Sequence, residues 1–227
     1  MNLTYKKIID ISQPVDETSA CFPGDTPFSR NVTLSYENSK IINLTALTMS
    51  PHVGTHADAP VHIKGTLNPE SSTDKGAKYN TTAGAMALEP FIGPVAVIDI
   101  APTTAGISLE LVQEKLKEVS SRVKRVLFKT ANKINFAVFE ENYSYIESET
   151  AELLGQLGFV LVGLDTPSVD HIRSKDLATH NVLDRHGLVW LENLDLQAVD
   201  EGEYFLMALP LKFMDLEASP VRAVLLA

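Results

Sequence analysis

The segment His52-Val53-Gly54-Thr55-His56-Ala57-Asp58-Ala59-Pro60-Val61-His62 holds three of the chain's six histidines and one carboxylate. Neutral imidazole nitrogens and carboxylate oxygens are the donor set of zinc and its first-row neighbours. His52, His56, Asp58 and His62 are all even-numbered, so an extended backbone turns all four to one side. A helix would keep His52 and His56 on one face but rotate Asp58 away, and Gly54 and Pro60 both oppose a long helix. The spacing therefore predicts an extended, irregular segment on which four polar groups converge. Apolar flanks, Ile41 to Met49 on one side and Val61 and Ile63 on the other, bury it in part. Buried imidazoles and carboxylates need partners. The bland alternative is a solvated loop that merely contains histidine.

Two later residues can complete such a site. His180 lies on an expected helix, where a lone histidine is more often structural. Glu192 ends the apolar run Val189-Trp190-Leu191, and a carboxylate closing a buried strand needs a positive partner. His52, His56, Asp58, His180 and Glu192 together make five donors, enough for two divalent ions if Asp58 and Glu192 bridge. His171 and His186 have no such spacing and read as surface residues. Phe22 and Phe28 sit in a turn-rich loop around Pro23-Gly24, each either a core plug or the wall of a pocket for a flat substrate. Cys21 reads as a small apolar residue rather than a nucleophile.

The elements that must position these groups follow from hydrophobic periodicity. Tyr5 to Ser12, Val32 to Tyr36 and Ile42 to Met49 read as strands, with a loop from Gln13 to Pro27. Lys64 to Thr82 reads as a long polar loop and Thr82 to Leu88 as a short helix. Pro94 to Ile100 is a continuous apolar run, expected of a strand covered on both faces. Ser108 to Ser121 is an amphipathic helix capped by Ser108, followed by a strand at Arg125 to Thr130. A second helix runs from Ser148, its cap, to Leu157, with Gly158 as its stop and a buried strand at Phe159 to Asp165. Asp165 follows that strand and either orients a metal-bound histidine or caps the next turn. A helix from Lys175 to about Arg185, opened by Ser174, carries His180 into a short strand at Leu188 to Leu191. Tyr204 to Lys212 and Val221 to Leu226 are further strands. The alternation of strand and helix predicts an α/β fold, a single domain over 1–227 with a mixed β-sheet and flanking helices.

Composition narrows the function classes. A hydrophobic fraction of 44% in 227 residues fits a soluble globular protein with a sizeable core. A formal charge of −10 without a Lys/Arg cluster excludes a nucleic-acid footprint and gives no attraction to anionic membranes. No apolar run approaches a membrane span, the N-terminus has no signal core, and one cysteine excludes an internal disulfide. A cytoplasmic protein is expected.

The segment His52 to His62 resembles the HxGTHxDxPxH signature of the cyclase-like metal-dependent hydrolases. Within them the chain resembles the bacterial kynurenine formamidases, or arylformamidases. Pro23-Gly24-Asp25-Thr26-Pro27-Phe28, the run Leu164 to Asp170 (LDTPSVD), the His180 to Glu192 segment and the ending LPLKF…ASPVRAVLL match that subgroup in the same order. The resemblance covers nearly the whole chain. It implies a swivelling β/β/α fold, assembled as a homodimer or higher homo-oligomer. It implies two divalent ions per chain, zinc first with Mn2+ as the second choice. His52, His56, Asp58 and Glu192 would hold one ion and His180 the other, with Asp58 and Glu192 bridging and His62 as the catalytic proton donor and acceptor. The implied reaction is hydrolysis of N-formyl-L-kynurenine, a small aryl formamide, to L-kynurenine and formate in tryptophan breakdown, with a metal-activated hydroxide as nucleophile. One departure is Phe22, where the family often has Trp; a phenyl ring still stacks on an aryl ketone but lacks the indole N–H.

No GxSxG is present, so a serine-hydrolase route has no anchor. Two rivals stand beside the main reading. One is a related enzyme opening isatin or another small cyclic amide or lactone. The other is a metal-binding protein without turnover, whose site would be closed where a catalytic site keeps a position open.

Overall fold

In the computed structural model, which describes residues 5–64 and 81–227, the apolar runs become strands of one nine-stranded mixed sheet. In chain order the elements are β1 (Ile8–Asp10), β2 (Ser29–Leu34), α1 (Tyr36–Ser39), β3 (Leu44–Thr48), β4 (His56–Asp58), β5 (Ile92–Asp99), β6 (Gly106–Ile107), α2 (Leu109–Lys115) and β7 (Arg125–Lys129). They continue with β8 (Tyr145–Ile146), α3 (Ser148–Gln156), β9 (Leu161–Leu164), α4 (Ala178–Arg185), β10 (Val189–Glu192), β11 (Gly202–Met207), β12 (Ala218–Pro220) and β13 (Val224–Leu226). The sheet order is β1-β13-β11-β5-β7-β9-β10-β4-β12. Its middle, β5-β7-β9-β10, is parallel, and antiparallel strands extend it on both sides.

The parallel strands step one place per crossover, and α2, α3 and α4 all land on one face. Period-two alternation then divides each strand between two cores. Val126, Phe128, Val162, Leu164 and Trp190 face the helices, where Val112, Ala151, Leu154 and Leu183 cover them. Val95, Val97, Leu127, Leu161 and Leu191 face the other side. There the sheet curls on itself: Ser12, just past β1, bridges Leu194, just past β10, and Asp195 N–H donates to the Ile11 carbonyl at 2.9 Å. Gly163 keeps that concave face tight, since a Cβ there would lie 2.7 Å from Leu127 Cδ2.

Several boundaries differ from the sequence reading. The loop expected from Lys64 to Thr82 lies largely outside the described residues. Thr82 to Leu88 holds only a 3-10 turn at Ala83–Ala85. β2 and β3 pair with each other and not with the main sheet. Tyr36 leaves the strand for the one-turn helix α1, because Ser35 accepts from Asn38 N–H and caps it. Ser108 caps α2 as expected, but at α3 the cap position is Glu147; Ser148 is already helical and its hydroxyl donates to Glu149. The helix expected from Lys175 starts at Ala178. Leu177 takes a left-handed φ of 49°, and its N–H donates to Ser174 Oγ, so the chain bends before it coils.

Candidate metal centre

His56 and Asp58, two apart on β4, point to the helix-covered face; Ala57 between them points into the concave core. β4 pairs with β10 so that His56 lies opposite Glu192. The register also brings Trp190 beside Asp58, and its Nε1–H donates to Asp58 Oδ2 at 3.0 Å. α4 delivers His180 from above the sheet. The expected extended segment therefore exists only at His56–Asp58. His52 arrives from the turn before β4, and His62 from a 3-10 turn opened by Pro60. The four groups converge anyway, because the turns on either side fold back over the strand.

The geometry divides the two carboxylates oxygen by oxygen. Asp58 Oδ1 lies 3.0 Å from His52 Nδ1 and 3.3 Å from His56 Nε2. Glu192 Oε2 also lies 3.3 Å from His56 Nε2. The other oxygens face the other imidazoles: Asp58 Oδ2 is 3.6 Å from His180 Nε2 and 3.8 Å from His62 Nε2, and Glu192 Oε1 is 3.7 Å from His180 Nε2. Donor atoms of His52, His56 and Asp58 all fall within 4.8 Å of one another, as do those of Asp58, His62 and His180. A tetrahedral ion with bonds of ~2.0–2.1 Å separates its ligands by roughly 3.3 Å.

The lone pairs decide what this arrangement is for. His56 Nδ1–H donates to the Gly54 carbonyl at 2.9 Å, which leaves Nε2 of the neutral ring bare and aimed at two carboxylates. Gly54 holds φ at +71°, and a Cβ there would meet Val15 at 2.5 Å. His180 Nδ1 sits 2.6 Å from Asp170 Oδ2, which leaves its Nε2 facing Asp58 and Glu192. His56 Nε2 and Asp58 Oδ1 are buried and have no hydrogen-bond partner. Lone pairs that converge in a buried site repel unless a proton or a cation lies between them. The residues present thus fit divalent ions.

Protonation follows the same logic. Burial pulls His56 and His180 down, but the carboxylates beside them, Asp58 and Glu192 at His56 and Asp170 and Asp58 at His180, outweigh it and lift each to about 10. For His52, burial is outweighed by Asp58 and Glu217, and its pKa rises to about 9. Asp58 is buried, yet the imidazoles of His180, His52 and His56 around it hold its carboxyl well below the usual range. His62 goes the other way, lowered by burial. It is also the most open of the site's imidazoles, its side chain 30% exposed. Among the described residues no hydrogen bond holds either of its ring nitrogens.

The sequence reading did not single out Asp170 or Glu217. Asp170 accepts from the backbone N–H groups of Thr179 and His180 at 3.1 and 3.0 Å as well as holding the His180 ring, so one carboxylate caps α4 and orients its histidine. Glu217 Oε1 lies 3.6 Å from His52 Nε2. No local spacing announces either residue. Asp165 takes neither of its expected roles. It accepts from Thr130 N–H, Thr130 Oγ1 and Ala131 N–H and ties the end of β7 to the end of β9. His171 and His186 lie apart, against Tyr145 and Glu152.

A cavity of about 780 Å3 opens over this centre at the carboxyl ends of β7, β9 and β10. Phe22 lines it, 42% exposed, and meets Phe139 edge-on at 5.1 Å. Phe22 is therefore no core plug. Cys21 lines the cavity too, half-buried rather than buried, with its thiol pushed up by burial and by Asp25.

The model of the Cyclase family matches residues 9–171. Among curated relatives, the kynurenine formamidase of Bordetella pertussis is 40% identical over 221 residues, 97% of this chain and 98% of the relative. That of Bacillus cereus is 37% identical over 219 residues, 96% of each chain. Among solved structures, a potential metal-dependent hydrolase with cyclase activity superposes with a TM-score of 0.76 at 24% identity, covering 96% of both chains. Isatin hydrolase A from Ralstonia solanacearum gives 0.76 at 20% identity, over 97% of this chain and 92% of its own. At these identities the two structures speak for the mixed α/β fold alone.

Proposed function

The chain belongs to the Cyclase family, and we propose on that premise that it is a metal-dependent amidohydrolase converting N-formyl-L-kynurenine to L-kynurenine and formate. The observation that carries the metal chemistry is the oxygen-by-oxygen division of Asp58 and Glu192 between two groups of imidazoles. In this reading the chain works as one unit. His52, His56, Asp58 and Glu192 would hold one ion and His180 the second, with Asp58 and Glu192 shared between them. Zinc suits the imidazole and carboxylate donors, with Mn2+ the second choice.

Divalent ions held there would supply Lewis acidity, making water a nucleophile near neutral pH and drawing charge from the formyl group. The protein's own residues do the rest. Asp170 and the Gly54 carbonyl each hold the outer nitrogen of one histidine, fixing which ring nitrogen faces inward, and Glu217 lies 3.6 Å from the outer nitrogen of His52. His62 has no such holder among the described residues and faces the cavity. Its lowered pKa leaves it neutral at pH 7, ready to take the proton of the attacking water and pass it to the departing aniline nitrogen. Phe22 and Phe139 wall the cavity for the aryl ring.

Assembly belongs to the same proposal. The β2–β3 hairpin and α1 expose Val32, Tyr36, Ile41, Ile42, Leu44 and Leu47, with Ile41 at 77% and Leu47 at 64%. Exposed apolar side chains grouped on one hairpin fit a second copy of the chain. A net charge of −10 opposes nucleic acid and anionic membranes as partners, and the protein is read as acting on a small molecule in the cytoplasm.

The deciding experiment is hydrolysis of N-formyl-L-kynurenine, isatin and an aliphatic formamide by protein stripped of metal and reloaded with zinc or manganese. The expected result is activity that returns with metal and is highest on the first substrate. Full activity after thorough demetallation would end the metal reading. A clear preference for isatin would move the protein to cyclic-amide hydrolysis.

A further inference from the structure

The cavity is larger than an aryl formamide needs, and its far side is built differently from its metal end. At the metal end stand Asp58 and Glu192; the chain as a whole carries −10. In the reading above both carboxylates are taken up by the ions, so a free carboxylate on the substrate needs a partner away from them to leave the reacting positions open. Along the described lining, Lys133 is the one lysine, and no arginine joins it. Lys133 forms no ion pair with any described residue. Asp25 and Glu140 line the same cavity, so its rim carries both signs.

Lys133 is not on a loose loop. It follows β7, between two backbone anchors: Ala131 N–H donates to Asp165 Oδ2 at 3.0 Å, and Ile134 N–H donates to Gln197 Oε1 at 2.8 Å. Further along, the Phe136 carbonyl accepts from Ala20 N–H at 2.7 Å, which ties this segment to the loop carrying Phe22. The anchors hold the lysine's backbone where the cavity adjoins a second groove that Lys133 also lines.

We propose that Lys133 determines substrate specificity by pairing with the α-carboxylate of the substrate's amino-acid tail. The proposal rests on the aryl formamidase reading and extends it. The aryl formamide then lies toward the metals between the aromatic walls, and the zwitterionic tail lies outward, its carboxylate on Lys133 and its ammonium toward the rim carboxylates.

The test compares kcat/KM for three formamides: N-formyl-L-kynurenine, its α-carboxamide, and ortho-formamidoacetophenone, which keeps the ring, ketone and formamide but has no tail. In the native protein the first should exceed the other two. In Lys133→Gln its advantage over the carboxamide should shrink about 5- to 30-fold, the range between a rim ion pair and a hydrogen-bonded charge. The loss should appear in KM rather than kcat, and Lys133→Arg should restore most of it. Lys133 is exposed, so neither substitution touches the core. An unchanged ratio in Lys133→Gln, with the native protein still cleaving aryl formamides, would overturn the assignment alone. Native protein that cleaves none of the three would overturn the formamidase reading and this assignment with it.

Discussion

His62 and His56 lie in one short segment and face the same carboxylate, Asp58, yet their surroundings assign them different work. His56 is buried, its outer nitrogen is held by the Gly54 carbonyl, and its inner nitrogen faces two carboxylates. His62 is open to the cavity, its ring beside those of His52 and His180, and its nearest carboxylate oxygen among the described residues is Asp58 Oδ2 at 3.8 Å. His62→Ala is therefore expected to keep its metal and lose about 10²–10⁴-fold in rate, the usual contribution of a positioned proton carrier. His56→Ala is expected to lose metal as well as rate. Metal content by mass spectrometry beside kcat separates them; loss of metal from His62→Ala to the same degree would make it a ligand. At the same scale, Phe22→Ala should weaken binding of the aryl substrate by about 0.5–1.5 kcal/mol beyond the lost buried area, chiefly in KM. Phe22→Trp should bind at least as well. If Phe22→Ala behaves as the native enzyme does, the ring is no part of the site.

At the scale of elements, the site depends on how α4 begins. A carboxylate ten residues upstream, Asp170, satisfies two of the helix's first amides and holds the His180 ring in the same stroke. Losing the charge should loosen both. Asp170→Asn keeps the shape but turns a charged acceptor into an amide, and a 10–100-fold loss of metal affinity is expected. Competition with a chromophoric chelator measures it without reference to turnover. Native-like affinity in Asp170→Asn would leave the carboxylate with the cap alone. The strand elements act through register: β4 and β10 place His56 opposite Glu192, and a slip by one residue would send both into the concave apolar core.

At the scale of the whole molecule, the sheet's curl buries one face and the helices bury the other, so the apolar surface left over is informative. Six of the large exposed apolar side chains, from Val32 to Leu47, lie on the β2–β3 hairpin with α1, which the main sheet does not pair. If a second copy covers it, Leu47→Asp together with Ile41→Asp should halve the mass found by light scattering and leave secondary structure intact. A native protein that is already monomeric at micromolar concentration would remove the dimer.

The sequence by itself singled out the candidate donor residues, because metal chemistry restricts residue type and the His52–His62 segment concentrates the permitted types. It also determined the parallel core of the sheet, because strands covered on both faces must be continuously apolar, as at Val95 to Ile98 and Leu161 to Leu164. Gly158 was readable as a helix stop because its φ of +74° suits a residue without Cβ. The tertiary structure alone decided which oxygen of Asp58 meets which histidine, since that depends on the pairing of β4 with β10 and on the approach of α4. It alone exposed Asp170, Glu217 and Lys133, whose partners or position depend on chain folding that no periodicity encodes. It also separated the β2–β3 hairpin from the main sheet, because propensity marks a strand but not its neighbour. Residue type is a local property and pairing is a global one; the chemistry could be read from the first, and its geometry only from the second.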